Sequence, residues 1–192
     1  MRRRMMMDTK PTQDWDVVWD YAMGLPEDNG FEKVLQGTPL ITMEEDGVHI
    51  INNSDYYVRY SFPEIELQTC NEGILEVEVV FQTIPNANGV AGFRMILSDG
   101  KGGCQISTDI DTGPAIMYNI NEQLRKIKDI NYNVDYVFRI ERISQLNKIY
   151  INNELIHQSK NTSNSYTTGN RVFFQAYPLE AVLKSIKFKK IS

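Results

Sequence analysis

The feature that most constrains this chain is a strict two-residue alternation of apolar and polar side chains. In residues 74–81 it sets Leu75, Val77, Val79 and Phe81 on one side and Glu76 with Glu78 on the other. In residues 136–142 it sets Tyr136, Phe138 and Ile140 against Val137, Arg139 and Glu141. Successive side chains of an extended chain point to opposite faces, so each segment reads as a strand with one face in a core and one in water. A helix, at about 3.6 residues per turn, would scatter the same apolar residues around its circumference.

Shorter segments repeat the pattern. Residues 48–52 follow an Asp46-Gly47 turn and residues 56–62 alternate up to Pro63, which reads as two short antiparallel strands. Residues 89–98, the Gly-rich turn 99–103 and residues 104–108 read as a hairpin, with a further turn at 109–114. Residues 148–151 and 154–157 flank Asn152-Asn153, a two-residue turn in which asparagine accepts positive φ. After a polar loop at 159–169, residues 171–176 and 182–188 close the chain. Strands this short and this regularly punctuated predict an all-β fold, a two-sheet antiparallel β-sandwich.

Residues 15–26 fit two periods. Trp15, Val18, Trp19 and Ala22 form a helical stripe stopped at Gly24, whereas Trp15, Val17, Trp19 and Tyr21 alternate as a strand. Both readings stand at this level, and in each the tryptophans tie the terminus to the core. Residues 1–13 have no apolar period and carry Arg2, Arg3 and Arg4 among methionines, so they read as a flexible basic tail before a domain spanning 14–192.

Composition excludes several functions. Against 20 Lys+Arg stand 25 Asp+Glu, a net charge of −5, and because three arginines sit in the tail the domain proper is more acidic still. No basic field is available for nucleic acid, and anionic polymers are disfavoured ligands. No apolar run approaches the roughly 18–20 residues of a bilayer span, and no secretory apolar core follows the basic start, so the expected product is made in the cytoplasm. Cys70 and Cys104 allow one bridge at most and leave their pairing open. His49 and His157 sit on strands, where they read as partly buried residues rather than as bases or ligands.

The order of elements resembles the concanavalin A-like lectin/glucanase superfamily, in particular its laminin G-like jelly rolls. The residues that carry the likeness are Trp19-Asp20-Tyr21 before Gly24-Leu25-Pro26, the turn and strand at 46–50, the long strand at 75–81, and above all residues 136–142 followed by 148–156. The last pair is similar to the family's strand and "kvyiNGeli" hairpin, with Asn153 where the family commonly has Gly. The likeness implies a jelly roll, and a fold shared by lectins, hydrolases and adhesion modules does not by itself name a function.

Glucanases of that superfamily use an E-x-D-x-x-E strand motif, which is absent here; Glu76 and Glu78 share a face without the third carboxylate. An atypical hydrolase built on Glu76 and Glu78 is therefore the alternative, and a non-enzyme the expectation. No Gly-x-Ser-x-Gly elbow occurs. Asp99, Asp109 and Asp111 have the oxygen chemistry of a calcium ligand set but not the spacing of a dedicated loop, so no metal and no cofactor are expected. Sugar recognition calls for aromatic and planar polar side chains on one face. Arg94, Tyr118, Asn119, Arg139, Gln175 and Tyr177 are the candidates, both arginines being placed by alternation to line a concave sheet. The expected function is a non-catalytic module that binds a glycan or protein surface. Cytoplasmic synthesis extends this to a phage or prophage virion component docked through residues 1–13. A purely structural decoration protein is the remaining alternative.

Overall fold

The structure, a computed structural model, describes residues 14–53, 57–62, 72–84, 92–99, 103–109, 115–120, 123–144, 146–160, 170–176 and 178–191, with the backbone alone at 98–128 and 170–175. They form two antiparallel sheets. The first runs β13 (Glu154–Lys160), β12 (Leu146–Ile151), β11 (Asp135–Ile143), β6 (Gly73–Thr83), β15 (Leu179–Lys190), β4 (Gly47–Asn52), β3 (Leu40–Glu44), with β1 (Val17–Asp20) also paired to β15. The second runs β10 (Gln123–Asp129), β9 (Ala115–Ile120), β8 (Gly103–Asp109), β7 (Phe93–Asp99), β14 (Asn170–Ala176), β5 (Val58–Ser61), β2 (Glu32–Leu35).

The alternation read from the sequence is the sandwich itself. Leu75, Val77, Val79 and Phe81 of β6 are fully buried, as are Phe138 and Ile140 of β11, while Glu76, Glu78 and Arg139 are only partly buried. The inward rows of the two sheets interlock through aromatic rings. Phe93 of the second sheet lies 5.5 Å from Phe81 and 5.0 Å from Phe138 of the first, and Phe62 lies 5.2 Å from Phe188. Centroid spacings in this range are the favourable ones for aromatic pairs, each worth roughly 0.5–1.5 kcal/mol beyond area burial.

β15 organises the first sheet. One of its edges pairs with β6 along its length, while the other is shared, residues 179–183 with β4 and residues 185–188 with β1. The register shifts between Leu183 and Ser185, where β4 hands over to β1, so Lys184 is the extra residue of a bulge. Its ammonium is thereby aimed at the Asp135 carboxylate, to which it donates a hydrogen bond.

The open choice at residues 15–26 resolves as strand. β1 buries Trp19 completely, and the chain then turns through a short 3-10 segment, Tyr21–Met23, capped by Asp20 accepting from the Ala22 amide at 3.0 Å. Trp19 Nε1 donates to the Gly24 carbonyl at 2.9 Å, which satisfies the indole inside the core. The Asn152-Asn153 turn is as expected, with φ of 51° and 66°.

One reading needs correction. The strands at 48–52 and 56–62 are neighbours in sequence but belong to different sheets: β4 pairs with β3 and β15, β5 with β2 and β14. Alternation identifies a strand and its faces but carries no information about its partner. The basic tail read at residues 1–13 lies outside the described residues. No described helix is long and apolar enough to cross a membrane.

Candidate functional site

A sandwich offers its outward faces, and register decides which of the residues singled out above stand on them. On the second sheet, Arg94 of β7 pairs with Gln175 of β14, and Gln175 pairs in turn with Arg59 of β5. Arg94 lies between buried Phe93 and Met95, so its side chain faces away from the core. On its other side Arg94 pairs with Ser107 of β8. Two arginine positions thus flank a glutamine position on three adjacent strands, about 10 Å apart at strand spacing.

Tyr118 and Asn119 are consecutive in β9 and so take opposite faces. Asn119 pairs with Gln105, which pairs with Ile96, two residues along β7 from Arg94 and at the same parity. That places Asn119 on the Arg94 face, roughly 12 Å away by strand geometry. Tyr118 pairs with Ile106, which pairs with fully buried Met95, so its register position belongs to the inward row. Tyr177 lies outside the described residues.

Arg139 is elsewhere. It stands on the outward face of the first sheet, so a sandwich, sheets about 10 Å apart, separates it from Arg94. The two arginines do not line one sheet, and no single ligand can meet both. Arg139 is also engaged: its Nε is 3.3 Å from Glu141 Oε1 and its guanidinium lies 4.3 Å from the Tyr150 ring centroid. Tyr150 in turn donates to Glu141 Oε2 at 3.1 Å, and burial followed by the charge of Glu141 pushes the phenol above its ordinary value.

The acidic pair of β6 belongs to this same network. Glu76 pairs across strands with Arg139 and accepts a hydrogen bond from Lys187 Nζ at 3.1 Å.

Sequence reasoning missed Arg59. It follows buried Val58 and precedes buried Tyr60, so its outward position was readable, and its guanidinium lies 5.8 Å from the Tyr57 ring centroid. What could not be read is that β5 lies against β14, which brings Arg59 beside Gln175. Of the acidic residues considered for calcium, Asp99 pairs in register with Asn170 and Asp109 with Ala115, and Asp111 lies outside the described residues. The cluster that does form is Glu44, Asp46 and His49, on the β3–β4 hairpin. Cys70 also lies outside the described residues, so the structure says nothing of a bridge to Cys104.

No family model and no curated protein matches the sequence. Solved structures do match the fold. The carbohydrate-binding module CBM66 from Bacillus subtilis superposes with a TM-score of 0.52 at 17% identity, over 84% of this chain and 96% of that one. Domain 4 of AbnA, a GH43 extracellular arabinanase from Geobacillus stearothermophilus in complex with arabinotriose, gives 0.58 at 12% identity over 92% of each. The Emp46p carbohydrate recognition domain gives 0.61 at 12% identity, over 92% of this chain and 98% of that one. The chain has the lectin-like β-sandwich fold. Sialidases match as well, but this chain spans only 18% of one and 28% of the Trypanosoma rangeli enzyme.

Proposed function

We propose that this domain is a non-catalytic carbohydrate-binding module whose ligand lies on the outward face of the second sheet, across Arg59, Gln175, Arg94 and Asn119. The observation that carries this reading is that the neighbours matching nearly end to end include a carbohydrate-binding module, a carbohydrate recognition domain and an arabinanase domain in complex with arabinotriose, while the sialidases match over a small part of their length. The chemistry of the face is in keeping with it. Guanidinium and carboxamide groups present planar, directional donors to the hydroxyls of a sugar ring, and each such bond is worth about 0.5–1.5 kcal/mol, more where the donor is charged. Tyr57, beside Arg59, supplies an aromatic ring at the margin of the row.

A glycan array on the folded domain tests the proposal, read beside Arg94→Ala and Arg139→Ala. Binding that is lost with Arg94→Ala and kept with Arg139→Ala supports it. An array without signal favours a structural or protein-binding module instead. The hydrolase alternative requires polysaccharide cleavage that disappears with Glu76→Gln or Glu78→Gln. The laminin G-like grouping rests on the β11–β13 pattern, and docking of residues 1–13 to a virion or other assembly rests on their charge alone. Deleting residues 1–13 tests the docking, because a free-standing lectin keeps its glycan binding without them.

A further inference from the structure

The β3–β4 hairpin gathers three side chains of metal-ligand type that the glycan reading does not use. Register explains how. Thr42 of β3 pairs with His49 of β4 and Glu44 pairs with Gly47, so Thr42, Glu44 and His49 share the outward face at the end of the hairpin, and Asp46 lies in the turn between them. His49 Nε2 is 2.7 Å from Asp46 Oδ1 and 3.7 Å from Glu44 Oε2, and the three donor atoms all lie within 4.8 Å of one another. The imidazole is mostly covered, at 14% side-chain exposure, whereas the carboxylates of Asp46 and Glu44 are 63% and 53% exposed. Water and ions therefore reach the oxygens, while the nitrogen is held in place.

We propose that Glu44, Asp46 and His49 form a binding site for a first-row divalent transition metal, with zinc as the ion to test. One imidazole nitrogen and two carboxylate oxygens make a donor set suited to zinc, with solvent completing the tetrahedron. Tetrahedral bonds near 2.0–2.1 Å place donor atoms about 3.3 Å apart. His49 and Asp46 must then open by about 0.6 Å and His49 and Glu44 close by about 0.4 Å, within the reach of exposed carboxylate rotamers. On binding, the metal takes the Nε2 lone pair and replaces the contact to Asp46, and the imidazole is held as its neutral tautomer with the proton on Nδ1. A ring that starts neutral with its proton on Nε2 moves that proton to Nδ1 through solvent, and one that starts as imidazolium releases one proton to solvent. Two carboxylates and a neutral imidazole balance the ion's charge.

The surroundings fit this role. The Thr42 hydroxyl donates to Glu44 Oε1 at 3.2 Å, fixing the carboxylate so that Oε2 is the oxygen turned toward His49. Gly47 seats the hairpin against β15, where a Cβ would meet Val182 Cγ1 at 2.4 Å and the Leu183 carbonyl at 3.0 Å. The nearby cation that would oppose a metal, Lys184, is paired with Asp135. The site lies on the first sheet, so it is independent of the proposed glycan face.

Isothermal titration of the metal-free full-length chain with zinc chloride alone tests the assignment. One ion per chain is expected, with saturable binding lost in His49→Ala, lost or strongly reduced in Asp46→Asn and Glu44→Gln, and weakened roughly tenfold in Thr42→Val. Far-UV circular dichroism checks that each variant folds. Cobalt binding supplies a second readout, since tetrahedral coordination gives a visible absorption band that His49→Ala should remove. Wild-type protein that binds no zinc, or His49→Ala protein that binds it as the wild type does, overturns the proposal.

Discussion

Gln175 stands directly opposite Arg94 across the β14–β7 pair, although 81 positions separate them in the chain. The same glutamine faces Arg59 on β5, so one residue on the second sheet sets the middle of a polar row. Truncating an arginine at the centre of a binding face typically costs about 2 kcal/mol, close to thirtyfold in affinity. Arg94→Ala should show a loss of that size in titration calorimetry with any glycan that the array identifies, Gln175→Ala a smaller one, and Arg139→Ala none.

Gly47 has φ of 151° and no room for a side chain. Gly47→Ala should cost roughly 2–3 kcal/mol through overpacking against Val182 and the backbone of Leu183. In a chain of this length that lowers the melting temperature by about 4–12 °C. Adding Val182→Ala removes the 2.4 Å contact, so the double variant should lose less than the sum of the single losses. Strict additivity in urea denaturation would show that the contact is not what makes the glycine necessary.

Tyr60 is buried, and burial with the charge of Glu27 beside it raises its phenol above the ordinary value. A folded-state value raised in this way makes the unfolded chain the first to ionise. The associated stability is complete below about pH 10 and is lost as pH rises beyond it. Tyr60→Phe should therefore change stability by no more than about 1 kcal/mol at pH 7. By pH 11 it should lose about 1.4 kcal/mol less than the wild type loses. Parallel pH–stability curves for the two proteins would contradict this.

Asn152 and Asn153 turn the β12–β13 hairpin in the left-handed region. A residue without a locally bonding side chain costs roughly 1–2 kcal/mol there. Asn153→Ala should destabilise by about that amount in thermal melts, and Asn153→Gly should stay within about 0.5 kcal/mol of the wild type.

Strand identity was legible wherever alternation was strict. Residues 75–81 and 136–142 face as read, because whether a side chain points in or out depends only on its neighbours along the chain. β2, β3, β9 and β10 escaped notice, being short or irregular in pattern: Leu40 and Met43 of β3 are exposed, and β10 carries a register shift between Lys126 and Lys128. The site was legible only in its residue types. Arg94 and Arg139 have the same local pattern, a cation flanked by buried aromatic and aliphatic residues, yet they point out of opposite sides of the molecule. His49 reads as a strand residue, which it is, and its convergence with Glu44 and Asp46 depends on the hairpin register.

By itself, then, the sequence determined an all-β sandwich, the inward and outward rows of its clearest strands, and the asparagine turn that needs positive φ. Those properties are set by residues a few positions apart. Only the tertiary structure decided which strands share a sheet: that β5 lies on β14, that β4 and β1 divide one edge of β15, and that Arg59 and Arg94 flank Gln175 while Arg139 does not. Pairing between strands far apart in the chain follows from how two sheets bury their apolar faces together, and that is a property of the whole core.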